Sequence, residues 1–267
     1  MVKFYKALVS AFILLSILSC GDDSTGPSST FSGEASRYEP LAVGNEWYYE
    51  RTEIDEDGNP VSNEVFYDTV RVVEQAEYNG FTAIRLETTS SDGDSFSEWI
   101  RQDGNDTYSY LEAPEAEGLP IDTGIFPTGW QKTNSLDNET VLIADEDFDN
   151  ELNIGPIESI NGNFQLKLKT SDAGTFSGQN FSGKAREAVL TNDFDVIATI
   201  NFGFPLAIPV QGVITETSYH VEGVGIVEKT IISEVDDDNA PTSGFFDSDM
   251  LGFQPDSKSI LVGYKLN

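Results

Sequence analysis

The chain has 267 residues, with 46 Asp+Glu against 15 Lys+Arg and a single His, for a formal net charge of −31 and a sequence pI near 4.1. Such a surface repels a phosphate backbone and an anionic bilayer, which excludes nucleic-acid binding and an interfacial basic helix. One Cys and one His leave little material for thiol, zinc or haem chemistry, so no cofactor is expected, while 39% hydrophobic residues suffice for a packed core.

Lys3 and Lys6 form a positive head before an uncharged run from Ala7 to Ser19, centred on Phe12-Ile13-Leu14-Leu15. The run is shorter than the about 20 residues a helix needs to cross a bilayer, and it reads as a secretory signal peptide over 1–19. It ends in Ile17-Leu18-Ser19-Cys20-Gly21, which resembles a bacterial lipobox. The resemblance implies cleavage before Cys20 and acylation of both its sulfur and its new amino terminus. The only cysteine of the chain stands where that motif needs it; an ordinary signal peptide with a chance Cys is the alternative. Several acyl chains, at about 0.8 kcal/mol per buried CH₂, give lasting anchorage. A membrane, reached through the anchor at Cys20, is therefore the expected partner. The expected location is the cell envelope, with the outer membrane or cell surface preferred over the inner membrane. Gly21 to Ser36 (GDDSTGPSSTFSGEAS) is small and polar, so 20–36 reads as a lipidated tether and 37–267 as a single domain.

From Tyr38 onward the dominant period is two, which predicts an all-β fold: an antiparallel meander forming a curved sheet, half-barrel or sandwich. Glu64 to Glu77 is rich in Val, Phe, Tyr and Thr and favours a strand. Thr82-Ile84-Leu86 alternate with Arg85 and Glu87. Phe164, Leu166 and Leu168 alternate with Gln165, Lys167 and Lys169. Val213, Thr215, Thr217, Tyr219 and Val221 alternate with Glu216, Ser218, His220 and Glu222, which places the latter on the polar side. Asp57-Gly58, Asn79-Gly80, Asp92-Gly93, Asp103-Gly104 and Asn161-Gly162 predict tight turns. Leu111 to Gly129, with Pro114, Pro120 and Pro127, predicts an irregular crossover, and two sub-sheets meeting there are the alternative to one domain.

Tyr38-Glu39-Pro40-Leu41-Ala42-Val43-Gly44-Asn45-Glu46-Trp47-Tyr48-Tyr49, Ala173-Gly174-Thr175-Phe176 and Tyr219-His220-Val221-Glu222-Gly223-Val224-Gly225-Ile226-Val227 together frame most of the mature chain. They resemble the YxPLxxGNxWxY opening, AGTF turn and YxxxGVGxV hairpin of a group of uncharacterised bacterial lipoproteins. The shape implied is that of half-barrel lipoprotein carriers of the cell envelope, by fold analogy alone, and no functional residues transfer.

Any Ser-His-Asp device must use His220. Its mid-strand position on the polar side predicts an exposed histidine in place of a catalytic one. With 46 acids, carboxylate pairs arise everywhere and carry no signal for a hydrolase. Asp145-Glu146-Asp147-Phe148-Asp149-Asn150-Glu151, Asp55-Glu56-Asp57-Gly58-Asn59 and Asp236-Asp237-Asp238 offer oxygens to calcium. None has EF-hand spacing, and no metal site is assigned. Two proline-bearing apolar loops remain, Ile125-Phe126-Pro127 and Phe202 to Pro209. Phe126, Phe204, Leu206 and Ile208 are the candidate rim of an apolar cavity; plugging the end of a barrel or sandwich is the alternative. The expected function is a non-enzymatic envelope lipoprotein with a binding or structural role. A carrier of an apolar ligand comes next and a carboxylate-based hydrolase third.

Overall fold

A computed structural model describes residues 34–55, 57–111, 128–154, 157–178, 181–201, 203–236 and 256–267. The signal peptide, Cys20, the tether up to residue 33, Phe126 and Phe202 lie outside the described residues.

After a 3-10 turn at Glu34–Arg37 come twelve strands: β1 (Glu46–Glu53), β2 (Phe66–Tyr78), β3 (Phe81–Ser90), β4 (Ser95–Asp103), β5 (Asp106–Leu111), β6 (Gly129–Ser135), β7 (Glu139–Ile154), β8 (Ile157–Ser177), β9 (Ser182–Asn201), β10 (Pro205–Val221), β11 (Gly225–Asp236) and β12 (Ser257–Lys265). They form one antiparallel sheet in the order β6-β5-β4-β3-β2-β1-β12-β11-β10-β9-β8-β7. The first and last strands pair, so the meander is continuous around the molecule except between β6 and β7, and the sheet is a nearly closed barrel. No helix among the described residues is long and apolar enough to cross a membrane.

The turn from β6 to β7 is held by side chains of neighbouring strands. Buried Arg186 of β9 donates to the carbonyl of Asp137 (2.8 Å), the carbonyl of Ser135 (3.3 Å) and Asn138 Oδ1 (2.8 Å). Thr170 Oγ of β8 donates to Asp137 O at 2.6 Å. These bonds satisfy carbonyls at the end of β6 and in the turn that follows it.

The turns at Asn79-Gly80, Asp92-Gly93 and Asp103-Gly104 join consecutive strands as expected. Four expectations are corrected. Asn161-Gly162 sits inside β8, paired on both sides, and is not a turn. Ala173 to Phe176 is also strand, with a bulge between Asp172 and Gly174 in place of a turn. Leu111 to Gly129 joins strands that pair with each other, so it is not a crossover, and among the described strands the break in pairing falls between β6 and β7. Pro205 to Pro209 is the first stretch of β10 and not a loop. Both prolines lie in the stretch of β10 that precedes Gln211 and that pairs with β9, Pro205 with Asn201 and Pro209 with Ile197.

Candidate functional site

One end of the barrel is closed by segments distant in sequence. Gly44 takes a positive φ of 88° and turns the chain into β1. Trp47 is buried beneath the β10–β11 turn and donates its indole N–H to Val224 O at 2.6 Å; Tyr49 donates to Ile226 O at 3.0 Å. Gly225 leaves room for the Trp47 ring, which a Cβ there would meet at 3.1 Å. The GNxWxY and GVGxV segments therefore pack on one another, with Val72, Ile84, Leu86, Ile100, Val221, Val227 and Leu261 completing the cluster. Ala35 is buried and donates to Gly104 O at 3.3 Å, so the body's contacts reach back into the stretch read as tether.

Below this plug a polar layer crosses the interior. Buried Glu39 accepts from Asn134 Nδ2 of β6 at 3.0 Å, and its carbonyl accepts from Gln102 of β4 at 3.1 Å. His220 of β10 places Nδ1 2.9 Å from Glu39 Oε1, off the axis of a good hydrogen bond, and Nε2 3.0 Å from Ser218 Oγ. Burial raises the Glu39 pKa, but the adjacent His220, with Thr107 and Asn134, outweighs it and holds the carboxyl below its ordinary range. The expectation of an exposed His220 is corrected: it is 3% exposed. Glu216, Ser218 and His220 face inward, because at this level the interior is polar and the alternation of β10 reads the wrong way round.

The layer continues through Glu98 of β4, Ser109 of β5, Glu216 of β10 and Lys229 of β11. Glu98 pairs with Leu86 and precedes Ile100 by two, which puts it on the core-facing side. Lys229 pairs with Ser218 and follows fully buried Val227 by two. Lys229 Nζ lies 2.8 Å from Glu216, and Ser109 Oγ lies 3.5 Å from Glu98 Oε2. Burial lifts the Glu98 pKa; Lys229 opposes it, and Glu216 and Glu39 add to it. Burial lowers the Lys229 pKa, yet Glu216 overcomes it and the net shift is upward. Although these groups are surrounded by protein, the side chains of Lys229 and Glu216 keep 37% and 34% of their surface open.

Further along the same face the lining turns apolar: Phe164, Leu166 and Leu168 of β8, Phe194 and Val196 of β9, and Ile208 and Val210 of β10 are all buried. Of the residues expected at a rim, Ile208 (1% exposed) belongs to this wall, Leu206 is half-buried and Phe204 (62% exposed) stands at the β9–β10 turn. They follow one strand inward from its tip. Asp145, Asp147 and Asp149 lie exposed along β7, and Asp55 caps its own turn by accepting from Asn59 N at 2.7 Å. Among the described residues no three His, Cys, Asp or Glu gather around a metal position.

Sequence reasoning missed Glu39, Glu98, Glu216 and Lys229 as a group. Lysine scarcity was the available signal, since Lys229 stands opposite the acidic side of β10 across a hairpin legible from its Gly-x-Gly turn.

No protein-family model matches the chain, and no curated protein matches it in sequence. Among solved structures it is similar to a lipoprotein candidate from Parabacteroides distasonis, at 11% identity and a TM-score of 0.40, covering 84% of this chain and 96% of that one. It is also similar to an exported-protein candidate with a YmcC-like fold from Bacteroides fragilis, at 9% identity and a TM-score of 0.33, covering 90% and 100%. Likenesses at this level carry no conclusion about family or role.

Proposed function

We propose that the chain is an exported protein, held to a membrane by acyl groups on Cys20, whose rolled β body binds a small ligand without transforming it. The observation that supports the binding role is a group of inward-pointing charged side chains, Lys229 and Glu216, that keep part of their surface open beside Glu98. Anchorage rests on the lipobox-like Ile17 to Gly21. The outer face fits a body standing in water, since it presents Glu46 with Arg71, Glu74 with Arg85, and exposed Lys167 and Lys169. Mass spectrometry of the amino-terminal peptide is expected to find an acylated Cys20. Cys20→Ala is expected to move the protein from the detergent phase to the aqueous phase. A free thiol at position 20 in the native protein overturns the anchor.

One observation favours hydrolysis instead: Ser218, His220 and Glu39 stand in the order of a nucleophile, base and orienting acid. Against it, all three are buried, Ser218 Oγ also faces the Ala188 carbonyl at 3.5 Å, and Glu39 is already engaged by Asn134. A fluorophosphonate probe is expected to leave Ser218 unlabelled; stoichiometric labelling abolished by Ser218→Ala establishes the hydrolase.

A further inference from the structure

We propose that the end of the barrel where the tether joins rests on the bilayer that holds Cys20, in contact through Val43, Tyr48, Val262, Tyr264 and Leu266. This depends on the anchor reading above and assigns the face by which the body meets the membrane.

The tether joins one particular end. Ala35 donates to the β4–β5 turn at Gly104, and the carbonyl of Arg37 accepts from Gly223 in the β10–β11 turn. Trp47 packs under the second of these turns, so the start of β1 and the end of β12, paired as Glu46↔Lys265, lie at the same end. Residues 21–33 stand between Cys20 and Glu34 and reach at most about 50 Å at full extension. β10 alone, 17 residues at about 3.3 Å each, spans about 55 Å. The far end of the body therefore meets the bilayer only with the tether near full stretch.

The surface of the two ends differs in the same sense. Val43, Tyr48, Val262, Tyr264 and Leu266 are each 37–45% exposed. They adjoin one another: Val43 O accepts from Asn267, the neighbour of Leu266; Tyr264 pairs with Trp47, and the Tyr48 ring lies against Gly263. Beside them the cross-strand row Arg71, Glu46, Lys265 holds two cations for one acid, in a chain with 46 acids and 15 bases. Tyrosine, aliphatic side chains and basic residues together suit the polar boundary of a bilayer. Among the acids at this end, Glu222 and Glu74 are met by Arg37 and Arg85, and Glu77 accepts from Thr82. Asp103, Asp137 and Asp172 stand three or more strands away from β1 and β12. The turns at the opposite end carry Asp55, Asp57, Asp92 and Asp94 against Arg51, and β7 runs toward them through exposed Asp145 and Asp147. A negative bilayer surface repels that end and favours the same orientation.

The test uses the native lipoprotein reconstituted in phosphatidylcholine vesicles. Acylation blocks the sulfur of Cys20, so a thiol-reactive NBD dye is expected to leave the parent unlabelled and to mark a single introduced cysteine. Lipid carrying a nitroxide on its head group is expected to quench NBD at Val262→Cys severalfold more than at Phe204→Cys, in the β9–β10 turn of the far end. Val43→Asp with Leu266→Asp, both at exposed positions, is expected to bring quenching at position 262 down to the level at 204. Quenching at 262 that survives those two changes means that the tether alone sets the distance, and overturns the contact. Equal quenching at the two positions in the parent background overturns the orientation. Labelling of the parent itself removes the anchor and this inference with it, which separates that failure from the other two.

Discussion

Glu39 and Glu98 occupy one interior and titrate in opposite directions, and the reason is local. Glu39 has His220 and two hydrogen-bond donors at its carboxyl, while Glu98 is buried with a distant hydroxyl, and Lys229 beside it is offset by two carboxylate neighbours. The sign of each contribution follows. A carboxyl depressed on folding stabilises the folded state above its unfolded value, near 4.5, and that stability is lost as the pH falls through the lower folded value. A carboxyl raised on folding stabilises below its unfolded value, and that contribution is lost as the pH rises through the folded one. The melting temperature of Glu98→Gln is therefore expected to exceed that of the parent at pH 7, and the difference to vanish toward pH 4. A lower melting temperature at pH 7 overturns the assignment of Glu98 as an uncompensated interior charge. Glu39→Gln leaves buried His220 and Asn134 facing an amide in place of an anion. It is expected to lose about 3 kcal/mol in urea unfolding at pH 7, the scale of a broken buried pair. A loss below about 1 kcal/mol would show that Glu39 does not tie the barrel together.

The elements were legible wherever one face is apolar and the other wet. The strand of Phe164, Leu166 and Leu168 satisfies that rule, and β8 lies where the alternation puts it. In β10 the rule inverts, because an interior that holds charges makes the buried face the polar one; periodicity gives the strand but not which way it faces. The prolines of β10 misled too: they stand inside a strand paired with β9, in a stretch that a sequence presents as a loop. The outer face of β2 to β6 was also unreadable as a unit. Tyr78 stacks on Trp99 at 4.4 Å, Trp130 meets Tyr110 edge-on at 5.3 Å, and Arg101 lies over Phe81 and Tyr108, so aromatic side chains cluster on the side away from the core. Such pairs add about 0.5–1.5 kcal/mol each beyond burial. The close pass of β9 over β10 gives the test at this scale. A Cβ on Gly212 would meet the Phe194 ring at 2.6 Å and Glu234 O at 2.8 Å. Gly212→Ala is expected to destabilise by about 2 kcal/mol. Phe194→Leu in that background should recover part of the loss, so the two changes add to less than their sum in a double-mutant cycle. Strict additivity would place the strain at the Glu234 carbonyl alone.

At the scale of the molecule, charge is the dominant fact. Without the signal peptide the chain keeps 46 acids and loses Lys3 and Lys6, which gives 13 bases and a net charge of −33. The cations are largely committed to close pairs: Arg51 to Asp68 and Asp92, Arg71 to Glu46, Lys132 to Asp106 and Glu139, Lys229 to Glu216, and Lys258 to Glu228. These pairs neutralise a minority of the acids, and the remainder repel one another across the outside of a closed sheet that cannot spread to separate them. Salt acts on the two populations with opposite sign. It weakens exposed ion pairs, each contributing about 0–1 kcal/mol, and it screens the repulsion of the surplus, which grows with the square of the net charge. With the surplus this large, screening wins. The melting temperature is expected to climb from 50 mM to 1 M NaCl, steeply at first and then levelling as the Debye length falls to about 3 Å. Choline chloride should reproduce the climb at equal ionic strength, because the effect needs no specific cation. A flat or falling curve would mean that the paired cations, and not the surplus acids, govern the stability of the barrel.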